Sequence, residues 1–171
     1  MIFTLPCRLE TGDISLIATG YNASAEISLR GSIDFNGGDI LVSANGEEGS
    51  GDGDVDLVLA FSSDTYISGT IGHISLEALD TYDSVNFYMS ADAGLEIDSI
   101  SLDASGKSSD VYAQISGDIT LTGGSLDIHA HGTSSDARLD FNNNNTTLNG
   151  SVDSINVIAE GNYSSADAYL S

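Results

Sequence analysis

Four groups of residues in this 171-residue chain have the types and spacing that chemistry requires. His129 and His131 flank Ala130, with Asp127 two residues earlier. On a strand, alternate residues share one side, so these three side chains can approach one metal ion, and imidazole with carboxylate suits Zn, Fe or Ni. Three chains around an axis would offer six imidazoles. Glu47, Glu48, Asp52, Asp54 and Asp56 crowd a glycine-rich stretch and are hard oxygen donors suited to Ca²⁺. The run Asp52-x-Asp54-x-Asp56 is followed by Leu57 where an EF-hand loop has glycine. Asp103, Asp110, Asp127, Asp136 and Asp140 offer carboxylate pairs of the kind that cleave glycosides. Tyr88, Tyr112 and Tyr169, with Tyr66 nearby, offer rings that stack on sugars or pack on a neighbouring chain.

Each group also has an ordinary reading as solvated strand or loop residues. Catalysis has the weakest support. Basic residues that would hold an anionic sugar or stabilise developing charge are scarce, and no Gly-x-Ser-x-Gly turn occurs. The expectation is a protein without enzymatic activity.

Composition narrows the partners. The chain has 26 acidic and four basic residues (Arg8, Arg30, Lys107, Arg138), for a formal charge of -22. Such a surface repels phosphate backbones and anionic lipid, so no nucleic-acid partner is expected. No apolar run approaches the ~18 residues of a membrane helix, and the strands are too short for an outer-membrane barrel, so no membrane insertion is expected. Cys7 is the only cysteine, which excludes an intramolecular disulfide. Residues 1–6 lack a basic region followed by an apolar stretch, so synthesis without a signal peptide is expected.

The elements that position these residues come from a repeat. An alternating apolar triplet ending in alanine occurs six times: Ile14/Leu16/Ala18, Ile40/Val42/Ala44, Ile74/Leu76/Ala78, Ile100/Leu102/Ala104, Leu126/Ile128/Ala130 and Ile155/Val157/Ala159. Their starts are spaced by 26, 34, 26, 26 and 29 residues. A second triplet follows each: Ala25/Ile27/Leu29, Val55/Leu57/Leu59, Val85/Phe87/Met89, Val111/Ala113/Ile115, Ala137/Leu139/Phe141 and Ala166/Ala168/Leu170. An apolar pair precedes each first triplet by seven residues: Cys7/Leu9, Ile33/Phe35, Ile67/Gly69, Ala93/Leu95, Ile119/Leu121 and Leu148/Gly150.

Of these 48 inward positions 46 are apolar and two are glycine, whereas seven of the 30 interleaved positions are apolar. A slip by one residue would exchange the faces, so the contrast fixes which side of each strand is buried. The chain is therefore all-β: one domain, 1–171, of six 26-residue three-strand repeats at about 3–29, 30–59, 60–89, 90–115, 116–141 and 142–171. Every length change falls in a connection: 45–54, 60–66 and 142–147.

Two architectures fit. In a parallel β-solenoid each repeat is one coil of three faces, with equivalent residues stacked ~4.8 Å apart. In an antiparallel meander the same strands pair within or between chains. The recurrent alanine suits a narrow stacked corner and favours the solenoid. Solenoid ends leave strand edges and core unpaired, so a homo-oligomer, with a trimer favoured, or an adjoining subunit is expected.

The stretch Ile115-Ser116-Gly117-Asp118-Ile119-Thr120-Leu121-Thr122-Gly123-Gly124-Ser125-Leu126 resembles the repeats of filamentous-haemagglutinin-type adhesins. The same Ser/Gly/Asp texture resembles the β-repeat fibres and spikes of tailed phages, as does the histidine pair Ala130 separates. The phage resemblance implies a structural virion component: a tail fibre, spike or decoration protein. The adhesin resemblance implies a repeat segment at the bacterial cell surface, binding glycan or host protein.

Overall fold

The computed structural model describes residues 2–4, 9–30, 32–46, 52–59, 67–141 and 146–170. In chain order the strands begin with β1 (Ile2–Thr4), β2 (Leu9–Thr11), β3 (Ile14–Thr19), β4 (Ser24–Arg30) and β5 (Ile33–Asn36). The middle comprises β6 (Ile40–Asn45), β7 (Asp52–Leu59), β8 (Ile67–Leu79), β9 (Tyr82–Ser105) and β10 (Ser108–Thr122). β11 (Ser125–His131), β12 (Ser134–Phe141), β13 (Thr147–Ser151), β14 (Ser154–Glu160) and β15 (Tyr163–Leu170) complete the chain. Every strand pairing described is parallel, which rules out the meander and makes the fold a β-solenoid of about five turns.

Three faces follow from the registers. The first stacks β1, β4, β7, the start of β9, the start of β10, β12 and β15. The second stacks β3, β6, the end of β8, the end of β9, β11 and β14. The third stacks β2, β5, the start of β8, the middle of β9, the end of β10 and β13. Parallel pairing of successive rungs puts like residues over like, so each inward column becomes a continuous apolar ladder.

The two long faces keep the register that the triplets imply. Ala18, Ala44, Ala78, Ala104, Ala130 and Ala159 form one column. The second triplets align from Ala25 through Val55, Val85, Val111 and Ala137 to Ala166. Register holds across all three insertions, because extra residues in a corner leave the rungs on either side free to stack.

The third face differs in two places. Leu9 aligns with Ile33, not with Phe35, and Ile119 and Leu121 align with Leu95 and Ile97, not with Ala93 and Leu95. β9 gains two residues against β10 between Ala91 and Leu95, which shifts the register by two. Ile71 and Ile97, absent from the inward set above, are fully buried as a result. β1 is a further difference: Ile2 and Phe3 align with Ser28 and Leu29, giving the first face a seventh rung.

The two inward glycines have a backbone cause. Gly69 and Gly150 have φ of +96° and +91°, a region L side chains rarely occupy. A Cβ on either would lie 2.0 Å from a carbonyl oxygen of the rung before, that of Phe35 or Leu121. Glycine there lets the chain turn while the rungs stay in hydrogen-bonding contact.

Candidate functional site

The first face brings the three outward tyrosines together. Tyr88, Gln114, Asp140 and Tyr169 form one outward column, and Asn86, Tyr112, Arg138 and Asp167 form the column beside it. Tyr88 and Tyr112 meet edge to face with ring centroids 5.6 Å apart. The Arg138 guanidinium carbon lies 5.5 Å from the Tyr112 ring centre and 4.8 Å from that of Tyr169. Arg138 Nη2 also donates to Asp140 Oδ2 at 3.2 Å. The result is a Tyr–Tyr–Arg–Tyr strip crossing four successive rungs, three spacings of ~4.8 Å each.

Beside Tyr88 lies a shallow cleft lined by Val58, Leu59, Met89, Gln114 and Ser116. Burial pushes the Tyr88 phenol above its ordinary pKa, and the neighbouring Tyr112 and Asp56 add to this, so the ring remains a neutral donor at physiological pH. Such a strip can stack on the apolar face of a ring and hydrogen-bond to hydroxyls, with the guanidinium as its fixed cation. Arg138 is not among the tyrosines singled out from sequence. The signal was available, because it stands 26 residues after Tyr112, which is one coil.

The histidine pair sits on the second face, on β11. His129 Nδ1 is 3.2 Å from Asp103 Oδ2 on the preceding rung, and its Nε2 is 3.8 Å from Glu160 Oε2 on the following one. His131 Nε2 is 4.0 Å from the same Glu160 oxygen. Asp127 turns elsewhere: its Oδ1 accepts from Asn156 Nδ2 at 2.6 Å, and its Oδ2 accepts from Ser125 Oγ. The pair thus belongs to a cluster of imidazole and carboxylate side chains spanning three rungs. Among the described residues no group of three His, Cys, Asp or Glu side chains converges as metal ligands.

Of the acidic loop, Glu47 and Glu48 lie outside the described residues. Asp52 begins β7, while Asp54 and Asp56 continue it as outward residues. Asp54 Oδ1 accepts from Ser84 Oγ at 2.6 Å, and Asp56 Oδ1 from Asn86 Nδ2 at 2.9 Å. Serine and asparagine one rung away thus supply donors that keep many acids from stacking directly on one another. Asp110 and Asp136 are an exception, directly opposed on adjacent rungs. Burial raises the pKa of Asp110, the Asp136 charge raises it further, and a backbone hydrogen bond from Asp136 offsets part of the rise.

One carboxylate escaped the sequence reading. Asp83 continues an inward column of small residues, Gly53, Ser109, Ser135 and Ser164, and is 5% exposed. Neither oxygen makes a hydrogen bond of normal geometry, although the Asp80 backbone approaches closely enough to offset part of the burial cost. Desolvation is the main cause, with Asp80 and Asp54 adding charge repulsion, and together they push its pKa up to about 7.

The last rung is the other distinctive surface. Ala166 and Ala168 occupy inward columns yet are exposed, and Ile155 is 40% exposed. No described strand pairs with the outer edges of β13, β14 and β15. No protein-family model, curated protein or solved structure matches this chain.

Proposed function

We propose that this chain is a non-enzymatic structural protein of a virion, a tail fibre, spike or decoration component. It assembles by continuing its β core onto a neighbouring β edge. The observation that carries this reading is the parallel stack itself, whose inward apolar columns run from rung to rung, as from Ile14 to Ile155, and can extend onto a matching β edge. Apolar area and unpaired backbone groups at a strand edge both gain by docking on another such edge. The acidic flanks favour hydration and disfavour lateral aggregation. Immunogold labelling of purified particles tests the reading directly: label at a fixed place on the particle supports it, and a chain absent from particles refutes it.

A second reading has its own observation. The Tyr88–Tyr112–Arg138–Tyr169 strip and its cleft suit a saccharide, as in a repeat segment of a bacterial surface adhesin. The discriminating measurement is a glycan array with the native chain and a Tyr88→Ala/Tyr169→Ala variant. Binding lost in the variant favours the adhesin; no binding by either favours the structural role. Measuring the native mass at low and high Ca²⁺ shows whether the loop carrying Glu47 and Glu48 contributes to assembly.

A further inference from the structure

We infer that the corner between β8 and β9 is a calcium site, in which the carboxylates of Asp80 and Asp83 hold the ion together with backbone oxygen. The site lies apart from the tyrosine strip and the histidine pair, and it stands whether or not the chain belongs to a virion.

The repeat itself marks this corner out. The corners leading from the second face to the first align in register, and their first residues are Gly20, Gly46, Asp80, Gly106, Gly132 and Gly161. Where each corner enters the first face, the column reads Ala23, Gly53, Asp83, Ser109, Ser135 and Ser164. Both columns consist of small residues except on one rung, and the two exceptions share that rung.

Serine suits the second column in a way that aspartate does not. Ser109 Oγ donates to the His131 carbonyl of the next rung at 3.1 Å. One rung earlier the register puts Asp83 in the place of Ser109 and Ser105 in the place of His131. A carboxylate has no proton to donate, so there an acceptor faces an acceptor. Asp83 is 5% exposed and neither of its oxygens makes a hydrogen bond of normal geometry. Among the described residues it forms no ion pair with a basic side chain. A buried carboxylate in this state is costly unless a cation compensates it. Burial, with the charges of Asp80 and Asp54, raises the Asp83 pKa, and a divalent ion beside the carboxylate offsets all three.

Glycine keeps open the space around the pair. A Cβ on Gly46 would lie 1.9 Å from Asp80 Oδ2, and one on Gly53 would lie 3.1 Å from Asp83 Oδ1. On the other side, a Cβ on Gly106 would lie 1.9 Å from the Asp80 carbonyl oxygen and 2.7 Å from Asp83 Oδ2. Asp80 Oδ1 accepts from the Thr81 N–H, so its Oδ2 is the oxygen turned toward Gly46. Both oxygens of Asp83, Oδ2 of Asp80 and the Asp80 carbonyl thus border one corner.

A donor set made only of oxygen suits a hard cation. Oxygens on successive rungs stand ~4.8 Å apart, so an ion between rungs meets one of each at ~2.4 Å. That is a calcium distance, longer than the ~2.1 Å that magnesium requires, and water completes the calcium shell.

Calcium titration of the chelator-stripped native chain in mildly alkaline buffer, followed by calorimetry and thermal melting, tests the site. One equivalent is expected to bind, and a hundredfold excess over Kd should raise Tm by about 5–10 °C. Asp83→Asn keeps the size of the side chain and should weaken binding about a hundredfold or more. Asp80→Gly/Asp83→Ser rebuilds the Gly-x-x-Ser corner of 106–109 and 132–135. It should abolish the calcium shift yet be no less stable than the native chain in chelator. Glu47→Gln/Glu48→Gln should bind as the native chain does.

A native chain that gives no response at about 10 mM calcium overturns the inference. So does a response that survives in both corner variants, which would mean diffuse binding to a surface carrying -22. Binding lost in Glu47→Gln/Glu48→Gln but kept in the corner variants overturns it too, because the ion would then sit in the acidic loop. Magnesium binding of equal affinity overturns the choice of calcium.

Discussion

The middle of the solenoid and its last rung carry the same alternating pattern and meet different fates. Phe87 and Leu57, on rungs covered from both sides, are fully buried, whereas Ala168, three rungs beyond Phe87 in the same column, and Ala166, three rungs beyond Val85 in the neighbouring inward column, are exposed. Alternation decides which way a side chain points. Burial in a solenoid also needs a rung on each side, because every coil contacts only its neighbours. The end of such a fold is therefore apolar by inheritance and sticky by position.

The largest effect that tests this contrast is truncation in the middle. Phe87→Ala should cost about 3–5 kcal/mol, the range for a fully buried aromatic, and Ile155→Ala well under half of that in dilute monomer. Urea unfolding of the two variants checks the difference. Equal losses would mean that the last rung is already covered in solution. The same comparison can be made with glycine. Gly69→Ala meets both a positive φ and the Phe35 carbonyl between fixed rungs, and should cost on the order of 1–3 kcal/mol. Gly150→Ala meets an equivalent clash with Leu121, but β13 has a free side to move toward and the cost should be smaller. Matching thermal shifts for the two would contradict that freedom.

The sequence made the two long faces legible because each carries three inward residues in fixed register with a recurring alanine. It left the third face open for a physical reason. Ala93, Leu95 and Ile97 alternate without a break, so a shift of two residues preserves inward and outward sides and produces no contrast to detect. Only the pairing of Ile119 with Leu95 resolves it. β1 was missed because three residues are too few to show a period. The tyrosines were legible as outward residues, but their convergence on Arg138 depends on side-chain reach across rungs. Asp83 was hidden by its column, where glycine and serine read as corner residues and give no sign of an enclosed space.

Asp83 gives the next effect in size, and it tests whether the middle is as well matched as its aliphatic columns suggest. The folded carboxyl, at about 7, binds its proton more tightly than the unfolded one at 3.8. Between those values the native state holds more protons, so this group makes stability fall as pH rises, and its full cost is present above about pH 7. Asp83→Ser, which copies Ser109 and Ser135 in the same column, should stabilise the chain at pH 8 and leave it nearly unchanged at pH 4. Thermal melts across that range check the sign. A variant less stable than the native chain at pH 8 would show that the carboxylate is held by a favourable partner.

The smallest effect concerns the strip that reaches into the last rung. Arg138 lies on β12, covered from both sides, but Tyr169 lies on β15, so one of its two ring contacts depends on an edge strand. Contacts of this kind at exposed sites are worth about 0.5–1 kcal/mol each, and the Asp140 pair adds little in solvent. Arg138→Ala should thus cost about 1–2 kcal/mol in all. Tyr112→Ala in a double-mutant cycle with Arg138→Ala should show a larger coupling than Tyr169→Ala does, although Tyr169 is the nearer ring. A rigid rung holds Tyr112 beneath the guanidinium, whereas an uncovered β15 can fray and lose its contact without further cost. The opposite order of couplings would mean that β15 is as firmly held as the rungs inside, as it would be if another copy covered it.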